Sequence, residues 1–132
     1  MKTFDLEIVT PINTLNFSDI KYLRAPSVQG QFGVLPGHIS SIIALEIGEV
    51  KILKEKQTLR FSTSGGFADI EKDKVILVLE TAEQKQDINI KRAQDSLDRS
   101  TKRLEEKTID IERARESIIR AKNRISIANK KD

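Results

Sequence analysis

The sequence predicts an antiparallel β-sandwich or barrel followed by an α-helical hairpin, and three observations carry that expectation. Residues 1–83 are built from short apolar runs with turn residues between them, at the roughly ten-residue spacing of an all-β domain. Residues beyond that point instead place Ile, Leu and Ala at intervals of three and four, the helical period. Charge changes at the same place: residues 1–83 hold 9 Lys and Arg against 11 Asp and Glu, whereas residues 84–132 hold 14 against 9. The boundary lies between Ala82 and Gln86, dividing the chain into an N-terminal sandwich, 1–84, and a C-terminal helix-turn-helix, 85–132.

The first strand is Phe4-Asp5-Leu6-Glu7-Ile8, where apolar and polar residues alternate with period two, and Thr10-Pro11-Ile12-Asn13 ends it. Further apolar runs follow at Ile20 to Ala25, Ile42 to Ile47, Val50 to Leu53, Leu59 to Thr63, Phe67 to Ile70 and Val75 to Leu79. Turn chemistry separates them at Ile47-Gly48-Glu49, Ser64-Gly65-Gly66 and Glu71-Lys72-Asp73-Lys74. The core is expected to be aliphatic, since aromatic residues make up only 5% of the chain.

Between the second and third runs lies Gly30-Gln31-Phe32-Gly33-Val34-Leu35-Pro36-Gly37-His38, which carries three of the six glycines and the only histidine. Its composition argues against a short helix or strand. Pro36 fixes its own φ and biases Leu35 towards an extended shape, so the stretch reads as a defined loop or bulge presenting a surface.

In the second half, Asp87 is placed as the N-cap of a first helix whose inner side holds Ile90, Ala93, Leu97 and Leu104. Lys107-Thr108 interrupts the pattern. Asp110 then caps a second helix whose narrow seam is Ile111, Ala114, Ile118, Ala121, Ile125 and Ala128. Such a seam suits close packing against another helix, and the simplest partner is the first one, folded back antiparallel. The helices also repeat each other at an offset of three heptads: Ile88, Ile90, Arg92, Ala93, Ser96, Arg99 and Arg103 recur as Ile109, Ile111, Arg113, Ala114, Ser117, Arg120 and Arg124. At about 100° per residue, Arg92, Arg99 and Arg103 form one stripe away from the seam. Ile88 falls on the arginine side.

Composition removes several function classes. At 132 residues the chain is one domain, or one small domain with an appendage. Without cysteine there is neither a disulfide framework nor a thiolate metal site, and a lone His38 builds no metal centre or recognisable triad. No phosphate-binding glycine loop has its Lys-Ser/Thr, so an enzyme is the least favoured class. No signal-peptide core or membrane-length apolar run is present, so a soluble protein is expected that reaches a membrane only through a partner. The basic second half permits an alternative, a nucleic-acid-binding or adaptor module. Against it, the helices offer no aromatic residue to stack on bases and carry nine acids among their fourteen basic residues.

The run Gly30–His38 resembles the G-x-F-G-V/I-L/Y-P-G-H signature of the epsilon subunit of F-type ATP synthases. Two more pieces are similar to that family and occur in its order: Leu45-Glu46-Ile47-Gly48-Glu49-Val50-Lys51-Ile52, and Ser64-Gly65-Gly66-Phe67-Ala68-Asp69-Ile70. The resemblance implies a β-sandwich of about ten antiparallel strands. It also implies a non-catalytic rotor subunit of the central stalk whose mobile C-terminal helices inhibit ATP hydrolysis. Implied partners are the gamma subunit, the membrane ring of c subunits, and the catalytic beta and alpha subunits. Nucleic acid and direct membrane insertion are not among them. Gln31 and His38 stand at the positions that touch the ring, Gln31 being neutral where some relatives have an acid.

The family pattern I-D-x-x-R-A, at the entrance to the helices, contacts a regulatory ATP in forms that bind one. Ile88-Asn89-Ile90-Lys91-Arg92-Ala93 occupies its place, with asparagine where the family has an acid. A regulatory ATP would thus meet Arg92, Arg99, Arg120 and Arg124 with its phosphates, Ile88 and Ala93 as an apolar wall, and Glu83 and Asn89 at the adenine edge; no other cofactor and no metal is required. Ile109-Asp110-Ile111-Glu112-Arg113-Ala114 matches the pattern fully but at the second helix. The expected location is the cytoplasmic face of a bacterial plasma membrane, or alternatively the stromal side of a chloroplast thylakoid.

Overall fold

The computed structural model describes residues 2–105 and 111–130. Within them lie ten strands: β1 (Phe4–Val9), β2 (Thr14–Ile20), β3 (Tyr22–Ser27), β4 (Gly30–Val34), β5 (Ser41–Leu45), β6 (Gly48–Lys54), β7 (Gln57–Thr63), β8 (Gly66–Ile70), β9 (Lys74–Leu79) and β10 (Ala82–Gln84). A single 3-10 turn, Lys85–Asp87, leads into α1 (Ile90–Glu105), and α2 (Ile111–Ala128) follows. The expected break at Lys107-Thr108, the Asp110 cap and Ile109 of the repeat fall outside the described residues.

The strands hydrogen-bond in the order β10-β7-β6-β3-β5-β8-β9-β1-β2, with β4 on the other edge of β3. The link between β3 and β5 is a single residue pair, Ser27 with Leu45, and there the sheet turns a corner and closes over itself. One layer is thus β4-β3-β6-β7-β10 and the other β5-β8-β9-β1-β2. Alternation fills the space between: Phe4, Leu6 and Ile8 from β1, Val75, Leu77 and Leu79 from β9, Leu23 and Ala25 from β3, Val50 and Ile52 from β6, and Leu59 and Phe61 from β7 are all buried. Phe61 meets Phe17 edge to face, ring centroids 6.1 Å apart. Every buried residue of this core comes from a strand and none from a helix.

Three local expectations change. Gly30–Val34, read as a loop, is strand β4, paired antiparallel with β3 from Leu23↔Val34 to Ser27↔Gly30. Glycine is accommodated at Gly33 because the Tyr22 ring lies where a Cβ would stand, and only the remainder, Leu35 to Ser40, is irregular. Thr14–Ile20 is a strand that the apolar-run reading passed over. Its Asp19, at φ 58, forms a bulge that shifts the register against β1, so that Phe17 and Ile20 both turn to the core. Finally, the sheet is not wholly antiparallel, because β1 runs parallel to β9.

The helices pack on each other along their length. The six steps from Glu105 to Ile111 span at most about 22 Å, less than the roughly 24 Å length of the 16-residue α1 that a parallel return would have to retrace, so the pair is antiparallel. Close contact is made by Ala93 and Ser100 of α1 and Ala114 and Ala121 of α2, one heptad apart in each helix and all buried. Leu97, Leu104, Ile118 and Ile125 flank them half-buried. Ile90 and Ile111, expected on the seam, are 45% and 41% exposed at the helix starts. The expected cap at Asp87 is also corrected: Asn89 is the N-cap, its Oδ1 accepting the Arg92 N–H at 3.0 Å while its carbonyl accepts from Ala93.

Candidate functional site

The antiparallel pair lies against the outer face of β6 and β7, and where it meets the ends of β7 and β10 a cleft of about 830 Å³ opens. Three elements line it. The helices supply Arg92 and Ser96 from α1 and Ser117, Arg120, Ala121 and Arg124 from α2. The sandwich supplies Ser62 to Ser64, Glu80 to Gln84 and the turn Thr10 to Asn13, and Asp87 comes from the 3-10 turn. Arg120 and Arg124 share a face because they are one helical turn apart.

Arg124 reaches across the cleft to Glu83 of β10 in a side-on bidentate pair, Nε to Oε1 at 2.6 Å and Nη2 to Oε2 at 3.0 Å. Arg120 donates to the Ser117 hydroxyl at 3.3 Å and lies 3.7 Å from Glu116. The Arg92 guanidinium has no hydrogen-bond or ion-pair partner among the described residues. Three guanidinium groups, two helix serines and carboxylates at Glu80, Glu83 and Asp87 therefore converge on a space within the roughly 300–1,000 Å³ of small-molecule sites. Chemically, such a set suits a ligand that carries both anionic groups and hydrogen-bond donors. Among the described residues no cluster of His and carboxylates is placed to hold a metal ion.

Of the residues the sequence singles out, the cleft brings together Glu83, Arg92, Arg120 and Arg124. Arg99 is exposed on α1 and does not line it. Ile88 and Ala93 are 8% and 0% exposed, packed under the helices, and neither lines the cleft. Asn89 is occupied in capping α1. Gln31 is exposed near the β3–β4 turn, opposite Pro26, whereas His38 lies past the other end of β4 with Nδ1 2.8 Å from the Ile39 carbonyl oxygen.

Sequence reasoning missed what holds the helices down. Asn123 donates from Nδ2 to the Gly48 carbonyl at 2.8 Å and to the Ser62 hydroxyl at 3.1 Å. Lys130 reaches Glu49, which also meets Arg24 and Arg60. Ile127 is buried on the same side of α2. The available signal is a second three-and-four spacing running through α2 and just past its end, Arg120, Asn123, Arg124, Ile127 and Lys130, masked by the more regular Ile/Ala seam.

A second surface stands bare. On the outer side of the β5-β8-β9 layer, Ile42, Phe67 and Val78 are 77%, 56% and 42% exposed, and Phe67 pairs with both Ala44 and Val78. No described element covers this face.

The β-sandwich model of the ATP synthase delta/epsilon chain matches residues 3–85. The chain is 33% identical over 133 residues to the ATP synthase epsilon chain of Halalkalibacterium halodurans, covering 98% of this chain and all of that one. To the epsilon chain of Nitratidesulfovibrio vulgaris it is 38% identical over 128 residues, 96% of each. Its fold is similar to a chain of the Euglena gracilis mitochondrial ATP synthase, solved with OSCP, F1 and c-ring, at a TM-score of 0.84 and 15% identity, over 93% of this chain and 79% of that one. A chain of the Tetrahymena thermophila mitochondrial ATP synthase, central stalk and c-ring, aligns at a TM-score of 0.56 and 14% identity, over 67% and 73%.

Proposed function

The chain belongs to the epsilon chains of ATP synthase, a non-catalytic subunit of that complex, and from this premise we propose that it is a central-stalk rotor subunit whose helical pair works as a mobile brake on ATP hydrolysis. The observation that carries the brake is the separation of cores. The sandwich interior is made wholly from strands, while α2 is held to the outside by polar contacts at Asn123, Arg124 and Lys130 with Ile127 between them. Undocking the helices therefore leaves the sandwich core intact, which is what a two-state element requires.

In this reading residues 1–84 are the fixed part. The bare face around Ile42, Phe67 and Val78 grips the gamma subunit, for an apolar sheet surface of that exposure is the kind that a partner covers. Gln31, exposed, and His38, half-buried, face the polar loops of the c ring. Residues 85–132 move: docked, they leave the motor free, and extended along gamma they bring their basic residues to acidic segments of the catalytic beta and alpha subunits. The complex would sit at the cytoplasmic face of a bacterial plasma membrane or the stromal face of a thylakoid, and no helix among the described residues is long and apolar enough to cross a membrane.

The cleft gives this switch its ligand. An ATP whose phosphates meet Arg92, Arg120 and Arg124 binds only when α2 is docked, because the site is assembled from both helices and the sandwich. It shifts the population towards the docked state by its differential affinity and no more. The deciding experiment reconstitutes the catalytic head with full-length chain or with residues 1–84. Higher hydrolysis with the truncated chain, without loss of assembly, supports the brake; equal hydrolysis refutes it.

A further inference from the structure

We infer that Ile12, with Pro11, is the wall on which the ring of the cleft's ligand lies, an assignment that rests on the nucleotide reading above. A nucleotide needs an apolar surface for its base as well as cations for its phosphates. Ile88 and Ala93 do not supply that surface, being packed away at 8% and 0% exposure. The apolar side chains that do line the cleft are Pro11, Ile12, Ala82 and Ala121, and of these only Pro11 and Ile12 are large.

Ile12 is 92% exposed, the highest value of any large hydrophobic residue described. A single exposed isoleucine is ordinarily unremarked surface. This one is held out by a turn locked at both ends. The Thr10 N–H donates to the Asn13 carbonyl at 2.9 Å, the Thr10 hydroxyl donates to Asn13 Oδ1 at 2.7 Å, and the Asn13 N–H donates back to the Thr10 hydroxyl at 3.2 Å. Pro11 fixes φ between them. A β-branched residue is a poor choice at such a turn, where Gly, Asn or Asp is the usual occupant. Ile12 adds nothing to the sandwich core, so the turn's rigidity serves to place an apolar side chain at the rim of a cleft otherwise lined by hydroxyls, carboxylates and guanidinium groups.

Charge in the cleft points the same way. Arg92, Arg120 and Arg124 stand against Glu80, Glu83 and Asp87, and Arg124 is already engaged by Glu83. A bare polyphosphate must displace a carboxylate for little net attraction. A nucleotide adds ring burial on Pro11 and Ile12 and offers amine donors to the same carboxylates. The ring contact thus selects nucleotides over inorganic polyphosphate.

The test titrates the full-length chain with ATP and with inorganic tripolyphosphate, comparing wild type with Ile12→Ser. Loss of the wall is expected to weaken ATP by about tenfold and leave tripolyphosphate unchanged. Because Ile12 lies outside the core, the thermal midpoint of the variant should match wild type. A second variant, Ile12→Trp, introduces the chain's only tryptophan, whose emission should change with ATP and not with tripolyphosphate. Wild type that binds ATP no more tightly than Ile12→Ser does, or that binds tripolyphosphate as well as ATP, overturns this inference alone. Wild type that binds neither overturns the nucleotide reading and this inference with it.

Discussion

Lys130, just past the end of α2, places Nζ 2.9 Å from Oε2 of Glu49 on β6, a carboxylate only 5% exposed. Val50 and Ile52 point from β6 into the core, so Glu49 points outward, and there Arg24, Arg60 and Lys130 close around it. Arg60 holds the same carboxylate at 3.0 and 3.1 Å and Arg24 at 3.2 Å, and the buried Arg24 Nε is left without an acceptor among the described residues. The carboxylate therefore ties β3, β6 and β7 to the chain just past α2.

Removing the two partners should have unequal effects. Lys130 is 37% exposed, so Lys130→Ala is expected to cost about 0.5–1 kcal/mol, seen as faster proteolysis of the helices with the sandwich unaffected. Glu49→Ala takes one buried carboxylate away from Arg24, Arg60 and Lys130 together, and is expected to lower denaturation stability by about 3 kcal/mol. Equal effects in urea titrations would show that Arg60 and Arg24 are content without the carboxylate.

Acid should loosen the same contact. Burial alone would raise the Glu49 carboxyl, but Lys130 and Arg60 outweigh it and hold the group below its ordinary 4.5. An acid depressed in the folded state contributes stability above its unfolded value, and the contribution disappears as pH falls through the lower folded value. The stability gap between wild type and Glu49→Gln should accordingly be constant at neutral pH and shrink from pH 4.5 downward. A gap that is unchanged at about pH 3 would remove ionised Glu49 from the account.

Asn89 carries a third prediction. Since it caps α1, Asn89→Ala should cost about 1 kcal/mol and Asn89→Asp almost nothing, asparagine and aspartate being equivalent caps. Thermal midpoints decide it. A loss in Asn89→Asp as large as in Asn89→Ala would place the importance of the side chain in its amide.

Much of this architecture was legible because apolar period and fold agree. Leu6, Ile52 and Leu77 alternate in the sequence and all point into the core, and Ala93, Ala114 and Ala121 mark the helix contact. The failures have physical causes. Gly30–Val34 pairs as a strand with β3, and its Gly33 is explained by the Tyr22 ring standing where a Cβ would be, a tertiary effect invisible to local composition. Thr14–Ile20 hides its alternation behind the Asp19 bulge. In the cleft, Arg120 and Arg124 were readable from their stripe, but Ile12 comes from the other end of the chain. Arg99 shares the stripe of Arg92 but stands seven residues, about 10 Å, further along α1, and how far the cleft reaches along the helical pair is fixed by its packing on the sandwich, not by periodicity within the pair.

Asn123 tests whether that pair is separable from the sandwich at all. Its amide donates to the Gly48 carbonyl and the Ser62 hydroxyl, two acceptors on a surface that α2 covers. In Asn123→Asp the Ser62 hydroxyl can turn and donate, but the Gly48 carbonyl then faces a carboxylate with no proton between them. The expected cost is about 2 kcal/mol of docking, or roughly thirtyfold in the docking equilibrium. Hydrogen exchange resolves where that cost falls. If the helices undock as a unit, α2 amides lose protection by that factor while those of β1, β8 and β9 keep theirs, because the strand core holds no helix residue. Equal loss in α2 and in the strands would mean that the chain opens all at once, and a brake that moves on a standing sandwich would then have no structural basis.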